Sequence, residues 1–179
     1  LPTDYVGRNE WFWPDQLAFL CKAVADRKES AEYLKRIEGV VSGFLDGDIP
    51  PLVEAMARHQ QVADQIIERC KHLPIKRIRE LVHALASELR VTLPLGRVIV
   101  NWDEVREMSQ GGVSFGSHSC THRIMTTITS DEVSEELTRS RQILADQCVN
   151  YVPVYCYPNG NSDAHIQDQV KASGYEAAV

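Results

Sequence analysis

The residues best suited to chemistry are His118 and His122, in the run Gly116-Ser117-His118-Ser119-Cys120-Thr121-His122. Two imidazoles separated by three residues can converge on one divalent cation, whether the backbone between them coils as a helical turn or as a tight loop. A protein site for such a cation generally needs a third ligand as well. The same pair also fits a plainer role, as polar loop residues hydrogen-bonded to backbone. Further along, Tyr155-Cys156-Tyr157-Pro158-Asn159-Gly160 closes in residues that favour a tight turn and that no strand continues through.

The elements that must position these two stretches are legible from periodicity and capping. Asn101-Trp102-Asp103-Glu104 places an N-cap three residues before a Glu, so a short helix is expected to about Ser109 or Gln110, stopping at Gly111-Gly112. A strand over 113–117 then delivers the histidine loop. Thr129-Ser130-Asp131-Glu132 is a second capping box, opening a helix along Val133, Leu137 and Ile143 or Leu144 to about Cys148. A strand over 152–157 ends in Pro158-Asn159-Gly160. A helix from about Ser162 to Ser173 stops at Gly174, and 175–179 begins another strand. Strand, helix, strand, helix, strand with crossovers of this length implies parallel strands and right-handed connections. Both polar loops therefore leave the C-terminal ends of parallel strands and share one rim, where sites in such folds are built.

Upstream the texture is different. Residues 1–7 read as the end of a strand running into a loop, since Pro2 does not fit inside a sheet and Asp4 and Gly7 favour turns. Trp11-Phe12-Trp13 precedes Pro14-Asp15, which opens a helix to about Arg27. Three neighbouring aromatics could stack on a sugar ring, or anchor a helix start in the core. Amphipathic helices follow over 29–46, from Pro50-Pro51 to about His72, and from Pro74 through Leu89. The whole stretch from 14 to 92 is a helical block. His59, His72 and His83 share no face within it and read as structural. The block carries no internal repeat motif and reads as an insertion, a lid or a partner surface.

Composition bounds the partners. With 179 residues, 44% hydrophobic and 25% charged, the chain reads as an ordinary globular protein, one domain or a domain with a sizeable insertion. A net charge of −6 and no basic face argue against nucleic acid. No apolar run is long enough for a membrane span. Cys21, Cys70, Cys120, Cys148 and Cys156 are widely spaced and odd in number, which favours reduced thiols and, with no export signal at Leu1, a cytoplasmic setting.

Four landmarks in order carry a resemblance: Gly-Ser-His-Ser-Cys-Thr-His at 116–122, the helix containing Glu135-Glu136-Leu137-Thr138-Arg139-Ser140, Tyr-Cys-Tyr-Pro-Asn-Gly at 155–160, and Ala172-Ser173-Gly174-Tyr175-Glu176-Ala177-Ala178. Together they resemble the polysaccharide deacetylases, carbohydrate esterase family four, the NodB-homology domain. The resemblance runs from about Trp102 to Val179 and covers residues 1–7 weakly. It implies an α/β fold that is part of a distorted parallel (β/α) barrel, with a large all-helical insertion in the N-terminal half. Divided accordingly, residues 1–8 end a barrel strand, 9–96 are the insertion, and 97–179 are the partial deacetylase domain.

The activity that the resemblance implies is metal-dependent hydrolysis of N-acetyl groups on a polysaccharide or oligosaccharide. His118 and His122 match the two histidines of the family's His-(Ser/Thr)-x-x-His and would ligate a divalent metal, with zinc expected, while Ser119 steadies the loop. Such an ion acts as a Lewis acid and lowers the pKa of water. Asn159 falls where the family supplies a backbone N–H to the tetrahedral oxyanion, beside Tyr157 and Pro158 on the substrate side. At Cys156 the family's pattern places an Arg, so the pairing that Arg makes with a carboxylate is lost here. The family's Thr-Phe-Asp-Asp-Gly motif is expected upstream of Leu1, and its Asp-rich and Leu-x-His motifs beyond Val179. The chain is therefore expected to be a central fragment, inactive alone and able to pair with a second copy through exposed strand edges or the helical block. The alternative is a non-catalytic glycan-binding or protein-interaction domain on a deacetylase scaffold.

Overall fold

A computed structural model of the chain describes residues 1–27, 31–45, 59–147 and 149–179, with the side chains of 59–62 left aside. These residues divide into two compact units: Leu1–Asn9 with Arg97–Val179, and Glu10–Gly96.

The helical unit contains α1 (Trp13–Ala25), α2 (Ala31–Ser42), α3 (His59–Cys70) and α4 (Ile75–Leu89). Each helix buries one stripe spaced by three and four residues: Leu17, Leu20 and Val24 on α1, Leu34, Ile37 and Val41 on α2, and Ile78, Leu81, Val82, Leu85 and Leu89 on α4. The stripes meet because α1 packs on both α3 and α4, and α2 packs on α4. An isolated antiparallel bridge from Glu10 to Leu95 joins the two ends of the unit. Trp13 is buried at the start of α1, whereas Trp11 and Phe12 are half-buried. His72 and His83 are exposed on this unit. Its Cys21 and Cys70 are free thiols, and burial pushes both up to about 12. The expected helix start at Pro50-Pro51, His59's side chain and Cys148 lie outside the described residues.

The α/β unit is built from α5 (Trp102–Gln110), β1 (Phe115–Ser117), α6 (Ser130–Asp146), β2 (Tyr151–Tyr155), α7 (Ala164–Ala172) and β3 (Ala177–Ala178). The strands form a parallel sheet in the order β1-β2-β3. Leu1 extends the pattern beyond β1: its amine donates to the Gly116 carbonyl at 3.0 Å, and its own carbonyl accepts from His118 N–H at 3.1 Å. That alternation is the hydrogen bonding of a parallel neighbour. The chain then turns through a short 3-10 turn, Thr3–Tyr5.

Helix α6 covers the sheet. Its inward residues Val133 and Leu137 pack with Met125, Tyr155, Tyr157, Ile166, Val170 and Tyr175, and Leu144 packs with Val6, Val105 and Phe115. Both expected capping boxes form: Asn101 with Glu104 on α5, and Thr129 with Glu132 on α6. Glu132 also pairs with Arg123 at 2.7 Å. That guanidinium, together with the Thr129 backbone and hydroxyl donors, lowers its carboxyl to about 2.

A carboxyl depressed by folding stabilises the protein most where it is ionised in both states. The stabilisation that Glu132 adds over Glu132→Gln is therefore expected in full above its ordinary value of 4.5, and should disappear as pH falls through about 2. Thermal melts of both proteins at pH 6 and near pH 2 check this: the gap in Tm should close in acid, and a gap that stays constant would mean the carboxylate is not the stabilising form.

Candidate active site

The histidine loop begins where β1 ends, and two of its residues adopt an unusual backbone. Ser119 and His122 have φ of 63° and 61°, the left-handed region that side chains with a Cβ rarely occupy. Each such residue costs on the order of 1–3 kcal/mol and persists only where its surroundings over-determine it. Here they do. Ser119 Oγ accepts from the His122 backbone N–H at 2.8 Å, closing the loop on itself. The Ser119 and Cys120 carbonyls accept from the N–H groups of Thr3 and Asp4, each at 3.1 Å. On the opposite side, the buried carboxylate of Glu136 on α6 accepts from Cys120 N–H at 2.7 Å, from Thr121 N–H at 3.0 Å and from the Thr121 hydroxyl.

This arrangement sets the two rings 4.6 Å apart between centroids, edge to face at 79°. His118 Nδ1 lies 2.8 Å from the Cys156 carbonyl. A carbonyl only accepts, so Nδ1 carries the proton and the lone pair of the neutral ring sits on Nε2. Burial lowers the His118 pKa below its ordinary value, which favours that neutral form. An oriented, neutral imidazole is what a divalent ion binds, and a second imidazole stands next to it. The donor set therefore fits a borderline-soft divalent cation such as zinc as two of its ligands. Among the described residues, no group of three His, Cys, Asp or Glu side chains is close enough to complete such a site. Asp4, whose backbone N–H meets the Cys120 carbonyl of the loop, is held by Arg139 at 2.7 and 3.2 Å, with Arg8 at 3.9 Å. Cys120 is buried with its thiol pushed up to about 11, an inert packing group. Cys156 is exposed, unlike the buried thiols, and contributes its backbone carbonyl to His118.

The second loop leaves β2, the strand paired in parallel with β1, so both loops emerge at the same end of the sheet. Pro158–Gly160 forms a 3-10 turn in which Asn159 takes φ 61° and Gly160 N–H donates to the Tyr157 carbonyl at 2.9 Å. Asn159 is exposed, and its side-chain amide donates to Asn161 Oδ1 at 2.7 Å. Tyr157 and Pro158 are buried; the Tyr157 ring packs edge to face on Tyr155, 5.4 Å between centroids. His165, at the start of α7, is exposed and lies within hydrogen-bond reach of Ser130 Oγ and the Gln169 side chain.

Sequence reasoning did not single out Glu136 as the partner of the histidine loop. The signal was its register: it falls on the inward stripe of α6 with Val133, Leu137, Ser140 and Leu144. A buried acid there needs donors, and the loop supplies them. Ser140 works similarly, meeting Ser117 Oγ at 2.7 Å and tying the end of β1 to α6.

The profile of the family described as polysaccharide deacetylase matches residues 78–178, more than half of the chain. The chain belongs to the polysaccharide deacetylase family. No curated protein matches it, and no solved structure does. The matched stretch runs from within α4 to the end of β3 and contains both loops. Members of this family act on polysaccharides and are generally metal-dependent. Among the described residues, no helix is long and apolar enough to cross a membrane.

Proposed function

We propose that this chain is part of a metal-dependent polysaccharide N-deacetylase, and that its α/β unit belongs to a distorted parallel (β/α) barrel. The observation that carries the reading is the pair of imidazoles, 4.6 Å between centroids, at the C-terminal end of β1 inside the stretch that matches the family. His118 and His122 hold a divalent ion, zinc in this reading, together with at least one ligand outside this pair. The ion, when bound, supplies polarisation of the acetamide carbonyl and a water acidic enough to attack near neutral pH.

The rest falls to the chain. Cys156, through its carbonyl, keeps His118 in the tautomer that presents Nε2. Attack of water on the acetyl carbon converts the carbonyl to an oxyanion, and the Asn159 backbone N–H is its donor. Tyr157 and Pro158 fix the turn that carries Asn159 and line the substrate side. The C–N bond then breaks, the sugar amine leaves with a proton released by the attacking water, and the water oxygen stays on the acetyl group as acetate. Asp4 has no part in this scheme, because Arg139 and Arg8 already occupy its carboxylate.

Cys156 favours a second reading, a non-catalytic glycan-binding domain, because the Arg expected at that position is absent. Elemental analysis decides first. After chelation and return of zinc, the parent is expected to retain zinc and His118→Ala/His122→Ala to lose it, by at least about 100-fold in affinity, since each ring is a direct ligand. Equal zinc in both proteins would rule out the histidine pair as a metal site. Retained zinc without acetate release from an N-acetylated oligosaccharide would favour the binding domain.

A further inference from the structure

We propose that Glu136 is the positioning residue that sets the distance between the His118 and His122 rings, by filling the concave N–H side of the loop that joins them. The inference about zinc affinity rests on the proposed function; the inference about ring geometry does not.

The loop has two sides. Its carbonyls, on Ser119 and Cys120, face the Thr3 and Asp4 N–H groups. Its N–H groups, on Cys120 and Thr121, point together at one oxygen of Glu136, and the Thr121 hydroxyl donates to the other. Three donors converge on this one carboxylate, and hydrogen bonds to a charged acceptor are the strong kind. Cys120 and Thr121 are also the residues enclosed by the two left-handed positions, Ser119 and His122. Without the carboxylate, two successive N–H groups lose their acceptor at a place where Cys120 is 1% exposed, and the left-handed turn loses what holds it.

One turn further along α6, Arg139 grips Asp4, whose N–H in turn supports the Cys120 carbonyl. A single helical face thus clamps the loop from both sides. The ring separation depends on the backbone of residues 119–122, so whatever fixes that backbone fixes the bite offered to a cation.

The test uses Glu136→Ala, Glu136→Gln and Thr121→Val, with exposed Glu135→Ala as the control. Two readouts are needed: the nuclear Overhauser contact between the His118 and His122 ring protons in metal-free protein, and zinc affinity by competition with a chromophoric chelator. Glu136→Ala is expected to lose the ring contact and weaken zinc by about 10–100-fold, the usual effect of removing a group behind a ligand. Glu136→Gln keeps the shape and one acceptor oxygen, so it should recover most of the contact and stay within about 10-fold of the parent. Glu135→Ala should match the parent in both.

A folded Glu136→Ala that keeps the ring contact and the zinc affinity overturns the proposal. Should that variant fail to fold, Glu136→Gln and Thr121→Val decide: parental contact and affinity in both overturn it, whereas a graded loss supports it. Zinc binding that survives His118→Ala would sink the metal reading alone, and the ring contact would still decide whether Glu136 sets the geometry.

Discussion

Gly116→Ala is expected to unseat β1 and take the histidine loop with it. A Cβ at this position would lie 2.8 Å from the Val154 carbonyl oxygen and 3.7 Å from the Val154 carbonyl carbon and Cβ. The obstacle is backbone of the paired strand, which cannot rotate away as a side chain would. The pairing explains the crowding: Phe115 faces Tyr151 and Ser117 faces Tyr155, so one residue of β1 stands against three of β2. Glycine is the residue that tolerates such an approach at an irregularity. Relief would require moving β2, but Tyr155 is fully buried there among Met125, Leu137 and Tyr175. Overpacking of this kind costs about 1–3 kcal/mol where the surroundings give a little, and more where they do not. Urea unfolding of the α/β unit should show a midpoint well below the parent, together with loss of zinc uptake. A parental midpoint would mean that the two strands are not this close.

The features of the fold that are legible in the sequence are those with local causes. Asn101 with Glu104 and Thr129 with Glu132 form the expected boxes because a cap is satisfied within four residues, whatever the remainder of the chain does. Gly174, φ 83°, ends α7 region as expected for the same kind of reason. Strand limits are set by partners far away, and these differ. A strand was expected from Val113, but Val113 N–H closes the end of α5 on the Met108 carbonyl, so β1 starts at Phe115. A strand was expected from Tyr175, but its ring turns into the core and its hydroxyl donates to the Leu137 carbonyl at 2.9 Å, leaving Ala177–Ala178 as β3. The second strand is shifted by a residue or two, to Tyr151–Tyr155, because the chain is already turning at Cys156, where the carbonyl meets His118.

At the candidate site, spacing revealed the pair but not its support. The interval between His118 and His122 is a local pattern, and so is the turn at Asn159. The groups that give them direction are distant: Glu136 lies sixteen residues from Cys120, the Cys156 carbonyl thirty-eight from His118, and Arg139 is separated from Asp4 by 135 positions. Periodicity placed Glu136 on α6 without revealing what its carboxylate would meet. For the same reason the sequence placed Tyr157 beside Asn159 without revealing that its ring packs on Tyr155.

Leu137→Ala should produce the largest loss of stability in the α/β unit. Leu137 is fully buried between α6 and the sheet, in contact with a cluster that includes Val133, Tyr155, Ile166 and Val170. Its neighbours are poorly placed to collapse into the space: Tyr175 is tied through its hydroxyl to the Leu137 carbonyl, and Tyr155 is fixed in β2 with Tyr157 and Tyr175 against it, at 5.4 and 5.2 Å between centroids. A cavity that persists adds to the lost transfer energy, so about 2–5 kcal/mol is expected, read as a drop in urea midpoint with little change in slope. A loss under about 1 kcal/mol would mean that the aromatic cluster repacks freely. The comparison with Glu136→Ala is the informative part. The two residues are adjacent on one helix, yet Leu137 meets the core and Glu136 meets the loop. Folded Leu137→Ala should therefore keep its zinc affinity while Glu136→Ala loses it, because an isopropyl-sized void under the sheet leaves the donors around the carboxylate in place.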